Sequence, residues 1–166
     1  MRRSALCTLL LVLCCSWLVR AQPKPDFGGT WVAVSPPQFL KRYVTAEVEI
    51  ETTIKQSNLM VSLTPRIVSK ATGKPSRPDL APTILYLDGQ ERRSKRADGT
   101  VEVARTFWDG QVLVTTAIRK AKDGRTISTS TRKWSIRPDG LLVIEALLDD
   151  GNSQQPARDS MVLKRK

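Results

Sequence analysis

The sequence predicts an all-β protein whose antiparallel strands follow one another as an up-and-down meander and close into a barrel of about 8–10 strands. The first reason is a repeated turn signal. Asp-Gly pairs occur at 88–89, 98–99, 109–110, 123–124, 139–140 and 150–151, separated by segments rich in Val, Ile, Thr, Leu and Trp. Glycine adopts positive φ freely and aspartate tolerates it, so this pair favours tight hairpin turns. Six such signals at short spacing predict consecutive antiparallel strands.

The second reason is an alternation of residue types between positions 46 and 55. One face would carry Ala46, Val48, Ile50, Thr52 and Ile54, and the other Glu47, Glu49, Glu51, Thr53 and Lys55. A strand with one buried face and one wet face requires this pattern. Closing the sheet hides its edges most completely, which favours a barrel over a two-sheet sandwich.

The strands are placed between the turn signals. They span 30–34, 46–56, 58–63, 83–87, 90–96, 100–108, 111–119, 125–136, 141–148 and 157–165. Asp109-Gly110 is interpreted as the turn between 100–108 and 111–119. The segment 64–82 is irregular, with four prolines and the basic residues Arg66, Lys70, Lys74 and Arg77. Such a segment forms a lid or a mobile surface loop, and the latter is favoured.

The first 21 residues have the organisation of a secretory signal peptide: a short basic start, an apolar run and a small residue at Ala21. The apolar run is short for a membrane span. Cleavage after Ala21 would leave 22–166 as a single extracytoplasmic domain, periplasmic or secreted, without a transmembrane segment. Cys7, Cys14 and Cys15 are the only cysteines. The mature chain would therefore lack disulfides and thiolate metal sites.

The formal net charge of +11 falls to +8 without Arg2, Arg3 and Arg20. This balance could favour anionic partners such as polysaccharides or lipid headgroups. The basic residues are spread over many segments, however, so they are interpreted as a basic surface, and no nucleic-acid partner is predicted. A monomer is expected.

Catalytic chemistry has few candidates in this sequence. The absence of histidine excludes His-dependent triads and His–metal sites. Glycosidase chemistry needs two facing carboxylates, and neither Asp109 with Asp88 nor Glu102 with Glu145 is singled out by spacing. The turn at 147–154 lacks the remaining ligands of a calcium loop. We therefore expect no metal, no cofactor and no enzymatic activity, with a histidine-free hydrolase as the minor alternative.

A binding cavity is the stronger hypothesis, because several strands place charges on otherwise apolar faces. Arg105 shares a face with Phe107, Arg132 shares one with Trp134, and Glu145 lies among leucines and valines. A charged side chain that points into the barrel loses its hydration, which costs on the order of several kcal/mol of stability unless the charge is paired or solvated. A wet cavity, an internal ion pair or a β-bulge that turns the face would each explain the pattern.

The candidate ligand-binding residues are Tyr86, Arg105, Phe107, Trp108, Arg132, Trp134 and Glu145. The aromatic residues could instead pack in the core. If these side chains line a pocket, they suit a small amphipathic molecule with an anionic group.

The stretch "DFGGTWVAV" places Gly29-Thr30-Trp31 at the entry to the first strand, and "FWDGQVLV", "RKWSIRPDGLLVIE" and "SMVLKRK" follow later. This arrangement resembles the lipocalin and wider calycin pattern, in particular the lipocalin-like secreted β-barrel proteins of bacteria. The resemblance implies a barrel closed at the Trp31 end, where Gly29 lies and where Arg165 or Arg158 would pack on Trp31. It implies an exported, non-enzymatic protein that binds a small apolar or amphipathic ligand or a cell-envelope component. The alternative is a structural or protein-interaction module with a filled barrel.

Overall fold

The computed structural model describes residues 23–35, 47–76, 81–151, 153 and 155–166, so the predicted signal peptide lies outside the described residues. Ten strands are present in the described part. They are β1 (Gly29–Ser35), β2 (Val48–Gln56), β3 (Met60–Ser69), β4 (Thr83–Tyr86), β5 (Arg92–Lys95), β6 (Val101–Asp109), β7 (Val112–Lys120), β8 (Thr126–Ile136), β9 (Leu142–Asp149) and β10 (Ala157–Arg165). No helix among these residues is long and apolar enough to cross a membrane.

All ten strands belong to one antiparallel sheet in the order β4-β3-β2-β1-β10-β9-β8-β7-β6-β5. The predicted meander is confirmed. Among the described strands, no pairing closes the sheet, because β4 and β5 stand at the two ends of this order. Residues 87–91, which connect β4 to β5, are hydrogen-bonded to β6, since the Gly89 N–H donates to the Thr106 carbonyl at 3.0 Å. Strand β5 therefore starts beyond that link and pairs only with 101–104 of β6.

The turns explain why the Asp-Gly signal is reliable. The glycine of every Asp-Gly pair has positive φ, between 58° and 86°. The β5–β6, β7–β8 and β8–β9 connections repeat one five-residue turn, in which the aspartate accepts the N–H two residues ahead. Asp109 differs, because it ends β6 opposite Val112. The turn there is Gly110-Gln111, and its interpretation as Asp109-Gly110 was wrong by one residue.

We predict that Gly140→Val destabilises the protein by about 1–2 kcal/mol, because a β-branched residue is strained at a φ of 80°. Urea unfolding measures this loss. Asp139→Asn is the matched control, since asparagine also accepts the Leu141 N–H and should change stability little. An equal loss in both variants would show that the charge of Asp139, which pairs with Arg137, and not the positive φ of Gly140, governs the stability of the turn.

The segment 64–82 is more ordered than predicted. Residues 64–69 continue β3, and Pro65 lies opposite Thr52 in the β2–β3 ladder. Residues 70–76 fold back on β3, where the Ser76 N–H donates to the Ile67 carbonyl at 2.9 Å. The interpretation of 64–76 as a mobile loop was wrong because these backbone hydrogen bonds join it to the sheet, and 77–80 lie outside the described residues.

The sheet is rolled around one apolar cluster. Its buried members are Phe27, Trp31, Ile54, Val61, Leu63, Leu113, Trp134, Leu142, Ile144 and Leu163. Phe27 stacks on Trp108 of β6 at 5.6 Å and meets Trp134 of β8 at 6.5 Å, although it precedes β1. Since β1 and β6 are far apart in the strand order, these contacts require the sheet to curl. We call the face that carries this cluster the inner face, and the opposite one the outer face.

Candidate functional site

The inner face is organised in rows that run across the strands β6 to β10. The floor row contains Trp108, Leu113, Trp134, Ile144 and Met161. The second row contains Thr106, Thr115, Arg132, Ala146 and Asp159. The third row contains Ala104, Ala117, Ser130, Leu148 and Ala157. Large side chains thus give way to polar ones and then to small ones.

The floor is closed by aromatic packing. Trp31 is fully buried, and its indole N–H donates to the Phe27 carbonyl at 2.7 Å. The Arg165 guanidinium lies 4.8 Å from the Trp31 ring centre and donates to the Asp26 carbonyl at 3.0 Å. Arg165, rather than Arg158, therefore makes the contact that the resemblance implies. Gly29, with a φ of 125°, lies beside the Arg165 side chain.

The second row introduces polar groups directly above this floor. Thr106 and Thr115 are buried, and their hydroxyl oxygens lie 3.1 Å apart in a hydrogen bond. Arg132 is exposed and has no hydrogen bond or ion pair with any described residue. The indole N–H of Trp134, in the floor row, is buried without a described hydrogen-bond partner. An unpaired guanidinium and a free indole N–H thus lie two residues apart on one face of β8.

The third row places little side-chain volume above this floor on β6 to β10. Three of its five side chains are alanine and one is serine, and its Leu148 is 46% exposed. Well-packed cores need large side chains at such positions, because unfilled volume costs stability. Among the described residues, the inner face of β6 to β10 therefore carries its bulk at the floor and small side chains above it.

A charged rim follows the third row. Glu102 pairs with Arg96, and Arg119 pairs with Asp98. Asp98 also accepts hydrogen bonds from the Thr100 hydroxyl and backbone N–H. Its contacts with Thr100, followed by the charge of Arg119, lower the pKa of Asp98 from 3.8 to about 2.

A depressed carboxylate pKa predicts a specific pH dependence. The contribution of Asp98 to folding should be present above pH 3.8 and lost as the pH falls through about 2. An NMR titration of the Asp98 side chain checks this, with an expected midpoint near 2 that moves upward in Thr100→Val. A midpoint near 3.8 in the unmodified protein would contradict these contacts.

The predicted ligand-binding residues do not form one group. Trp108, Arg132 and Trp134 share the inner face, whereas Arg105, Phe107 and Glu145 lie on the outer face by alternation along β6 and β9. Tyr86 lies opposite Met60 on the outer face by register, and the Arg92 guanidinium stacks 4.0 Å from its ring centre. Arg105 lies 5.1 Å from the Phe107 ring centre. The sequence correctly groups residues within a strand but does not say which face turns inward.

Several residues of the inner face were missed from the sequence: Phe27, Thr106, Thr115 and the alanines of the third row. The two-residue turn at Gly110-Gln111 was an available signal, because it fixes Trp108 opposite Leu113 and Thr106 opposite Thr115. The contact of Phe27 with Trp108 had no local signal, since it depends on how the sheet curls.

The structure separates one of the two carboxylate pairs considered for catalysis. Glu102 lies on the inner face with Arg96, and Glu145 lies on the outer face of β9, so these two cannot flank one bond. Within the described part of the chain, no three acidic, histidine or cysteine side chains converge as a metal site.

No family model matches the chain, and no curated protein matches it either. Solved structures do. A structure described as the REP1-NXSQ fatty acid transporter aligns with a TM-score of 0.52 and 14% identity, covering 85% of this chain and 96% of that one. Secretory abundant heat soluble protein 4 from Ramazzottius varieornatus aligns with a TM-score of 0.50 and 12% identity, covering 87% and 99%. At such identities the likeness concerns the fold alone, and it confirms the lipocalin-like β-barrel class.

Proposed function

We propose that this protein binds a small amphipathic molecule with an anionic group on the inner face, above the aromatic floor, without catalysing a reaction. The observation that carries this proposal is the third row, where Ala104, Ala117 and Ala157 replace the large side chains of the floor. A filled structural barrel would need bulky residues at these positions. Space bounded by an apolar floor and a few polar groups is typical of small-molecule sites.

Arg132 is the residue proposed to bind the anionic group. Its guanidinium has no described partner, and a carboxylate forms strong charge-assisted hydrogen bonds with arginine. The hydroxyls of Thr106 and Thr115 lie in the same row and can add hydrogen bonds. The apolar part of the ligand would contact Leu148 and the alanines, where burial contributes roughly 25 cal/mol per Å².

A fatty acid is the appropriate first probe, because it has this amphipathic chemistry and because one structural neighbour is described as a fatty acid transporter. Dodecanoate should displace a bound fluorescent probe such as 1-anilinonaphthalene-8-sulfonate. We expect Arg132→Gln to weaken dodecanoate binding by about tenfold or more. The affinity for dodecanol, which lacks the charge, should change much less.

Lys133→Gln is the matched control. Lys133 is the next residue of β8 and faces outward, so the variant removes the same charge from the opposite face. Equal weakening by the two variants would show that net charge, not the inner face, governs binding. No displacement by any amphipathic probe would refute the proposed function.

We also propose that the protein is exported, on the strength of the signal-like residues 1–21. Intact-mass measurement of the protein recovered from the cell envelope or the medium should give a chain that begins at Gln22. Retention of Met1, or recovery only from the cytoplasm, would contradict export.

A further inference from the structure

The outer face carries two adjoining clefts. One has a volume of about 350 Å³ and the other about 710 Å³, and both include Thr131. Most of their strand residues point outward, on the side of the sheet opposite to the aromatic floor. A twisted sheet is saddle-shaped, so its outer face can also be concave along one diagonal.

One register row passes through both clefts from β6 to β10. Its members in order are Arg105, Thr116, Thr131, Leu147 and Arg158. Neighbouring strands lie about 4.8 Å apart, so four steps separate the two arginines by about 19 Å. The row therefore forms a furrow across the strands with a guanidinium at each end and two hydroxyls between.

The groups in the furrow are available for a ligand. Arg105 and Arg158 have no hydrogen bond or ion pair with a described residue. Beside the row, Lys133 and Glu145 are register partners of opposite charge, which offset one another. Glu91 adds a carboxylate near the Arg105 end. The furrow thus offers cations at its ends and acceptors along its side.

The same furrow contains apolar surface suited to a sugar ring. Ile118, which is half-buried, lines the smaller cleft, and Leu147, which is 38% exposed, lines the larger one. Aliphatic side chains pack against the C–H faces of pyranose rings, while Thr116 and Thr131 can exchange hydrogen bonds with sugar hydroxyls.

We propose that this furrow binds a linear acidic oligosaccharide whose carboxylates are separated by neutral sugars. One carboxylate would pair with Arg105 and another with Arg158, and the hydroxyls of the sugars between them would contact the two threonines. The Lys133–Glu145 pair leaves the middle of the furrow without net positive charge, and Glu91 adds a negative charge near the Arg105 end. The furrow is therefore a poor site for nucleic acids or densely sulfated chains, whose closely spaced anions need a continuous row of cations. This site is separate from the proposed inner-face site and does not depend on it.

The test is calorimetric titration with a hyaluronan hexasaccharide, in which glucuronate alternates with a neutral amino sugar. We expect binding that Arg105→Gln and Arg158→Gln each weaken about fivefold to tenfold. Neutral chitohexaose should bind much more weakly, and a heparin hexasaccharide should not bind more tightly than hyaluronan.

Two controls distinguish the furrow from general charge and from the inner face. Lys164→Gln removes a charge from the outer face of β10 outside the clefts, and Arg132→Gln removes one from the inner face. Both should leave hyaluronan binding unchanged. Equal weakening by Lys164→Gln, tighter binding of heparin or duplex DNA, or no binding of hyaluronan would each overturn the proposal. The fatty-acid result for Arg132→Gln is independent of these outcomes.

Discussion

Replacing Trp31 with alanine is expected to destabilise the protein by about 3–5 kcal/mol, the cost of deleting a fully buried aromatic side chain. Trp31 is 0% exposed and packs in the cluster that joins the two halves of the rolled sheet. The substitution would leave a cavity, remove the donor to the Phe27 carbonyl and deprive the Arg165 guanidinium of its ring. Urea unfolding followed by circular dichroism measures the free energy of unfolding.

Val34→Ala provides the comparison within the same strand. Val34 is 60% exposed, so its truncation should cost less than about 1 kcal/mol. A loss below about 1 kcal/mol in Trp31→Ala would mean that the floor can repack without this residue. If Trp31→Ala does not fold, Trp31→Phe keeps most of the volume and should still lose stability by removal of the indole N–H.

Ala117→Trp is expected to abolish amphipathic-ligand binding, with a loss of affinity above about 100-fold. Ala117 lies in the third row of the inner face beside Ala104 and Ser130, where an indole would occupy the proposed ligand volume. Since its register partners Ala104 and Ser130 are small, the added ring should cost at most about 1–3 kcal/mol of stability. Displacement titration with dodecanoate measures the effect.

Thr116→Trp is the matched control for Ala117→Trp, and it is expected to affect the other proposed site. Thr116 is the preceding residue of β7 and lies in the outer furrow. This variant should leave dodecanoate binding intact and block hyaluronan, whereas Ala117→Trp should do the reverse. Loss of both ligands in both variants, with the urea unfolding curve unchanged, would contradict two separate sites.

The sequence located the turns well because they depend on local conformation. Gly99, Gly124 and Gly140 each take positive φ with an aspartate before them, and this preference belongs to the residue pair itself. The predicted strands 46–56 and 100–108 lie within two residues of the observed bounds of β2 and β6. The segment 64–76 was misjudged because its prolines suggested a loop, whereas pairing with β2 carries Pro65 within a strand.

The candidate site could be predicted only in part. Arg132 and Trp134 were correctly placed on one face, because residues two apart in a strand always are. Arg105 and Glu145 looked equivalent to Arg132 in sequence, since each is a charge among apolar neighbours. In the structure Arg105 and Glu145 lie on the outer face, whereas Arg132 lies on the inner face. The sequence pattern did not distinguish them because outer-face valines, such as Val103 and Val114, are buried as well. An apolar neighbour is therefore no sign that a face turns inward.

The sequence by itself determined the strand period, the hairpin turns and the absence of histidine and of cysteines after residue 15, all of which depend on single residues or near neighbours. The tertiary structure decided which face of the sheet encloses the aromatic floor, where the ladder stays unpaired between β4 and β5, and which residues of five different strands share a row. These features depend on register and curvature, which arise from contacts such as Phe27 with Trp108 between residues far apart in the chain.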